Sequence, residues 1–127
     1  MAKIIRFTTD LFDISKEDEN PINLIYGQSL LLWLKDKIQN SYDFTTPDCE
    51  DWGWYSNINW EERTYIIGAS CLEEENSNYE WVLQIIKQNS LFEKIFNKEK
   101  MTENDECFLY FKKIIETESS FKNIEFE

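Results

Sequence analysis

From residue 52 to residue 87 the sequence keeps a two-residue period, and this pattern constrains the fold more than anything else in the chain. Within 52–60, Trp52, Trp54, Ile58 and Trp60 share one parity while Gly53, Asn57 and Asn59 share the other, as expected of a strand with one buried face. Glu61-Glu62 supplies a polar turn. Arg63 then opens a β-branched and aromatic run through Tyr65, Ile66 and Ile67 to Leu72, which predicts an antiparallel hairpin. After a polar loop at 73–78, Tyr79, Trp81, Leu83 and Ile85 alternate with Glu80 and Gln84, and Val82 and Ile86 add partial burial of the second face. The three runs predict a meander. Parity assigns Trp52 and Trp54 to the core and turns Tyr55 outward.

On either side of the meander the period changes. Residues 3–7 form a short β-like run, and the polar stretch 15–20 reads as a loop ending at Asn20-Pro21. Between about residues 27 and 40, Leu30, Leu31, Leu34 and Ile38 fall on one helical face, with Lys35, Asp36 and Gln39 opposite and Trp33 widening the apolar stripe. The side chains of Asn23 and Ser29 are candidates to cap this helix. A short helix is expected at 90–96. A longer one is expected at 102–118, where Thr102 and Asp105 have capping-box spacing and Phe108, Phe111, Ile114 and Ile115 share a face. Residues 121–126 suggest a last strand. The order predicts a single domain, 1–127, of α+β class: an antiparallel-rich sheet of about four to five strands with helices packed mainly on one face.

Charge narrows the function. The chain carries 25 Asp and Glu against 13 Lys and Arg, a net −12, yet 42% of its residues are hydrophobic and 16% aromatic, enough for a packed core. So acidic a chain repels phosphate, which argues against nucleic acid and anionic membrane as partners. There is no histidine, so the Ser-His and Cys-His nucleophile pairs and imidazole metal ligands are excluded. Cys49, Cys71 and Cys107 form no CxxC pair, and three glycines cannot furnish a phosphate-cradling loop. No EF-hand spacing occurs among the acids. We therefore expect no enzyme, no cofactor and no metal. Reduced thiols and the lack of an apolar leader in 1–10 point to the cytoplasm.

The charge is concentrated. Residues 43–80 contain ten acids and a single base, Arg63, a net −9 of the total −12. Asp48, Glu50 and Asp51 run directly into Trp52, Trp54 and Tyr55, and if 52–72 is a hairpin its open end brings them toward Glu73, Glu74 and Glu75. Acids beside aromatics suit contact with a basic protein: rigid aromatic anchors at low entropic cost, and carboxylates for complementarity. The candidate partner-binding residues are Asp48, Glu50, Asp51, Tyr55, Glu61, Glu62, Glu73, Glu74 and Glu75. A solvated acidic loop over a tryptophan core would produce much the same sequence.

Two blocks, residues 20–34 beginning Asn20-Pro21-Ile22-Asn23 and Glu50-Asp51-Trp52-Gly53-Trp54-Tyr55, resemble small bacterial immunity proteins of contact-dependent growth inhibition and other polymorphic toxin systems. The resemblance implies a small, acidic, cytosolic α+β protein that binds and neutralises one cognate toxin domain, frequently a basic nuclease, by occluding its active site. The alternative from another class is a small carboxylate-dependent enzyme or carbohydrate-binding module built around the Trp-rich strand.

Overall fold

Alternation in the central strands is realised as a core on one face, while Val82, 5% exposed, adds the expected burial on the second. A computed structural model of the chain describes residues 2–38, 40–73, 79–88 and 101–127, with 72 and 73 as backbone alone. The strands of the described residues are β1 (Ala2–Thr8), β2 (Asp48–Glu50), β3 (Gly53–Trp60), β4 (Arg63–Glu73), β5 (Tyr79–Lys87) and β6 (Lys122–Phe126). They form one sheet in the order β2-β3-β4-β5-β1-β6, and every pairing is antiparallel. The expected meander is β3-β4-β5. The sheet has six strands rather than four or five because Asp48–Glu50, which reads as an acidic loop, adds an edge strand to β3. Three residues are too few for a period to register.

One face of the sheet carries Ile5, Phe7, Trp54, Ile58, Trp60, Tyr65, Ile67, Ala69, Trp81, Leu83 and Ile85, all buried in a single core. Two helices cover that face. Helix α1 (Gln28–Ile38) contributes Leu30, Leu31, Leu34 and Ile38, each fully buried, and packs on β3 and β4. Helix α2 (Glu106–Thr117) contributes Cys107, Phe108, Phe111 and Ile115. Aromatic pairs stitch the layers: Tyr42 stacks on Trp60 at 4.3 Å, Tyr110 sits 5.1 Å from the same ring, and Phe121 stacks on Phe7 at 4.3 Å. Trp33, on the flank of α1, meets Phe121 at 5.1 Å.

Both helix starts are held differently from the expectation. The cap of α2 is Asp105 itself, whose Oδ1 accepts from the Phe108 amide at 3.0 Å, so the helix begins at Glu106 rather than after Thr102. Asp105 is also a buried post between layers: its Oδ2 accepts the Tyr65 hydroxyl at 2.9 Å and lies 3.3 Å from Lys87 Nζ. Burial, then the Asp105 carboxylate, hold the Tyr65 hydroxyl and the Cys107 thiol well above their ordinary ranges. At α1 the cap comes from a distance. Glu17 Oε1 accepts from the amides of Gly27 (3.0 Å) and Gln28 (3.1 Å), and Oε2 from the Ser29 amide (3.0 Å) and hydroxyl (2.6 Å). A carboxylate there satisfies orphan donors and meets the positive end of the helix. The helix expected at 90–96 lies outside the described residues.

Candidate functional site: the open face of the sheet

The residues of opposite parity form the second face of the sheet, and neither helix covers it. In register across the strands it presents Tyr55, Gly68 and Gln84 in one row and Asn57, Ile66 and Ile86 in the next, with Asn59 opposite Thr64. Together with Glu50, Trp52 and Gln88 these side chains line a shallow hollow of about 700 Å³. Its floor is aliphatic, its walls are amides and a hydroxyl, and one end is aromatic.

The aromatic end follows from a tight turn. Glu50 pairs with Gly53, leaving Asp51 and Trp52 as a two-residue hairpin loop. Trp52 therefore does not join the parity of β3, and its indole lies over Gly68 on the open face. A Cβ at Gly68 would sit 2.7 Å from Trp52 Cη2. This corrects the expectation that Trp52 belongs to the core. Trp54 does belong to it, 5% exposed, and donates its indole N–H to the Ile25 carbonyl at 3.1 Å. Gly53 has φ 147°, a region that favours glycine, and a Cβ there would approach the Ala69 carbonyl oxygen to 2.5 Å.

The candidate partner-binding residues are gathered only in part. Asp48 is directly opposite Tyr55 in the β2–β3 pairing. Because Cys49 packs toward the core, Asp48 and Glu50 on either side of it point to the open face, both exposed, beside half-buried Tyr55. Asp51 is exposed in the adjoining turn. Glu61 and Glu62 form the tip of the β3–β4 hairpin, eight residues of strand and so roughly 25 Å away. Both are exposed and both have positive φ, 46° and 67°. The backbone of Glu73 pairs with Tyr79, beyond the end of β3, and the stretch opposite Cys71 is occupied by Tyr26 rather than by β2. Its side chain, and all of Glu74 and Glu75, lie outside the described residues. The acids 48–51 and 61–62 are thus two separate features of the hairpin's opposite ends.

Sequence reasoning missed the polar furnishing of the hollow, Asn57, Asn59, Thr64 and Gln88, which the alternation contained as the unburied parity. The block 20–29, read as capping and loop closure, does close a loop, but the cap of α1 comes from Glu17 rather than from Asn23 or Ser29. That loop is held by Asn20, 3% exposed, whose amide donates to the carbonyls of Glu50 (2.9 Å) and Gly53 (3.0 Å) and accepts from the amides of Ile22 and Asn23. Asn23 Nδ2 donates to the Asp51 carbonyl at 2.8 Å. The two blocks that carry the resemblance are therefore locked to each other around the β2–β3 turn.

Among the described residues, no group of three or more Cys, Asp or Glu is arranged to hold a metal ion, and no helix is long and apolar enough to cross a membrane. Glu50 is the one carboxylate among the described residues lining the hollow. Comparison with protein-family models, with curated proteins and with solved structures gives no match to this chain.

Proposed function

We propose that this chain is a non-enzymatic inhibitor, an immunity protein that binds a basic toxin domain in the cytoplasm and blocks its active site or substrate groove. The observation that supports this reading is the second face of the sheet: neither helix of the described residues covers it, Trp52 and Tyr55 stand at one end, and the exposed carboxylates Asp48 and Glu50 lie along its edge strand. Aromatic anchors beside carboxylates suit a partner rich in Lys and Arg, and acids at the rim accelerate encounter more than they tighten the final complex. The test is whether a basic toxin domain is encoded immediately upstream of the gene and, prepared as an inactive variant, associates with this chain; an upstream region that encodes none counts against the reading. Wild type should bind it and protect cells. Replacing both Asp48 and Glu50 by Lys should slow association by about tenfold at low salt and flatten its salt dependence. Binding kinetics indifferent to both substitutions would remove this face from the interface.

A second reading has its own support. An indole in contact with a strand glycine, with Asn57, Asn59, Thr64 and Gln88 nearby, also suits a sugar. Titration with soluble oligosaccharides, followed by tryptophan emission, separates the two: a saturable change lost in Trp52→Ala favours the carbohydrate module.

A further inference from the structure

The loop at 20–27 presents three large apolar side chains to solvent: Ile22 is 57% exposed, Leu24 74% and Tyr26 43%. It is not a slack segment that could fold them away. Asn20 and Asn23 tie it to the β2–β3 turn, the Ile25 carbonyl accepts from Trp54, and the Tyr26 carbonyl accepts from the Cys71 amide at 2.8 Å. Gly27 closes it against β4, where a Cβ would meet the Ala69 oxygen at 2.3 Å. Fixed backbone with exposed apolar side chains is the arrangement of an interface anchor, because its ordering entropy is lost on folding and not on binding.

The surroundings indicate what covers it. Leu24, Ile25 and Tyr26 form one wall of a hollow of about 280 Å³ whose other wall carries Glu17, Asp18 and Glu19, and no Lys or Arg lines it among the described residues. Asp18 and Glu19 are exposed, as is Asp51 on the loop's other flank. A second copy of the chain would set these carboxylates against each other. Three side chains also fall well short of the roughly 800 Å² per partner that a stable dimer buries. An anionic membrane is disfavoured on the same charge argument. A basic protein satisfies both walls.

We propose that Leu24, flanked by Ile22 and Tyr26, is the apolar anchor of the inhibitor's interface. It fills a nonpolar pocket on the basic partner, and Lys or Arg side chains around that pocket lie over Asp18, Glu19 and Asp51. This rests on the reading of the chain as an inhibitor of a basic domain, and extends its contact surface from the open face around the β2 edge. Buried apolar anchors govern dissociation, whereas rim charges govern encounter.

The experiment compares wild type, Leu24→Ser and the Asp48→Lys, Glu50→Lys double variant against the inactive upstream toxin domain, with association and dissociation rates measured at two salt concentrations. Leu24→Ser should melt like wild type, dissociate about 30-fold faster and keep the wild-type salt slope. Tight binding by wild type with dissociation unchanged in Leu24→Ser would overturn the anchor while leaving the inhibitor reading standing. No binding by wild type would overturn both. Sedimentation of the free protein covers the remaining occupant: a concentration-dependent dimer abolished by Leu24→Ser would assign the loop to a second copy and overturn the proposal.

Discussion

At one end of the β3–β4 hairpin, a glycine stands where the backbone adopts φ 147° and passes close to the Ala69 carbonyl; at the other, Glu61 and Glu62 hold positive φ with full side chains. The two ends answer to different demands. Around Gly53 the chain is crowded: the 20–27 loop, the β2–β3 turn and β4 converge on residues 68–71, and packing dictates which residue is allowed. At the tip Glu61 and Glu62 are both exposed. A two-residue hairpin loop with both residues at positive φ ordinarily carries Asn-Gly, and a non-glycine residue there costs about 1 kcal/mol or more. Two adjacent carboxylates add repulsion. The crowded end is shaped by folding, and the strained tip retains two carboxylates at some cost in stability.

The largest effect should come from the crowded end. Gly53→Ala combines a disfavoured φ with a Cβ directed at backbone, which cannot yield as a side chain would, and should lower unfolding free energy by roughly 3 kcal/mol in urea titration. A loss under 1 kcal/mol would mean that the convergence is looser than it is drawn here. The tip should respond with the opposite sign: Glu61→Asn combined with Glu62→Gly should raise stability by about 1–2 kcal/mol. If stability falls instead, the strain argument fails. Between these, Gly68→Ala pushes on an indole that can lift from the open face, so its cost should be about 1 kcal/mol, accompanied by a red shift in Trp52 emission. The smallest change tests the buried face. Among the described residues Ser56 Oγ is buried without a hydrogen-bond partner, and Ser56→Ala should leave stability within about 1 kcal/mol of wild type, on the favourable side.

The same contrast explains what could be read from the sequence. The central strands and α1 were legible because each buries one face, and Ile58, Ile67, Leu83 and Leu34 repeat at the period of their element. Local chemistry is legible too: the capping-box spacing marks Asp105, although Asp105 is itself the cap residue and Thr102 is not. What depends on distant segments was not. Glu17 reaching the start of α1, and Asn20 bridging to the β2–β3 turn, are hydrogen bonds across ten or more residues, and no local pattern announces them. Trp52 was misplaced because a parity count continues through a turn that the chain itself does not. For the candidate site, Asp48, Glu50 and Tyr55 stand together at the β2 edge, whereas Glu61 and Glu62 lie at the far tip of the hairpin, a strand's length away.

The strand order has a kinetic consequence. β1 lies between β5 and β6, and its pairs with β5, from Thr8 with Glu80 to Ala2 with Ile86, join residues 72 to 84 positions apart. During synthesis the first strand therefore has no neighbour until β5 has left the ribosome, and until then the edge of β4 that β5 will pair stands open. Contacts of such separation slow folding. A chain made as far as Lys87 already holds 16 acids against 7 bases, a net −9, and that charge keeps unfinished copies apart by mutual repulsion.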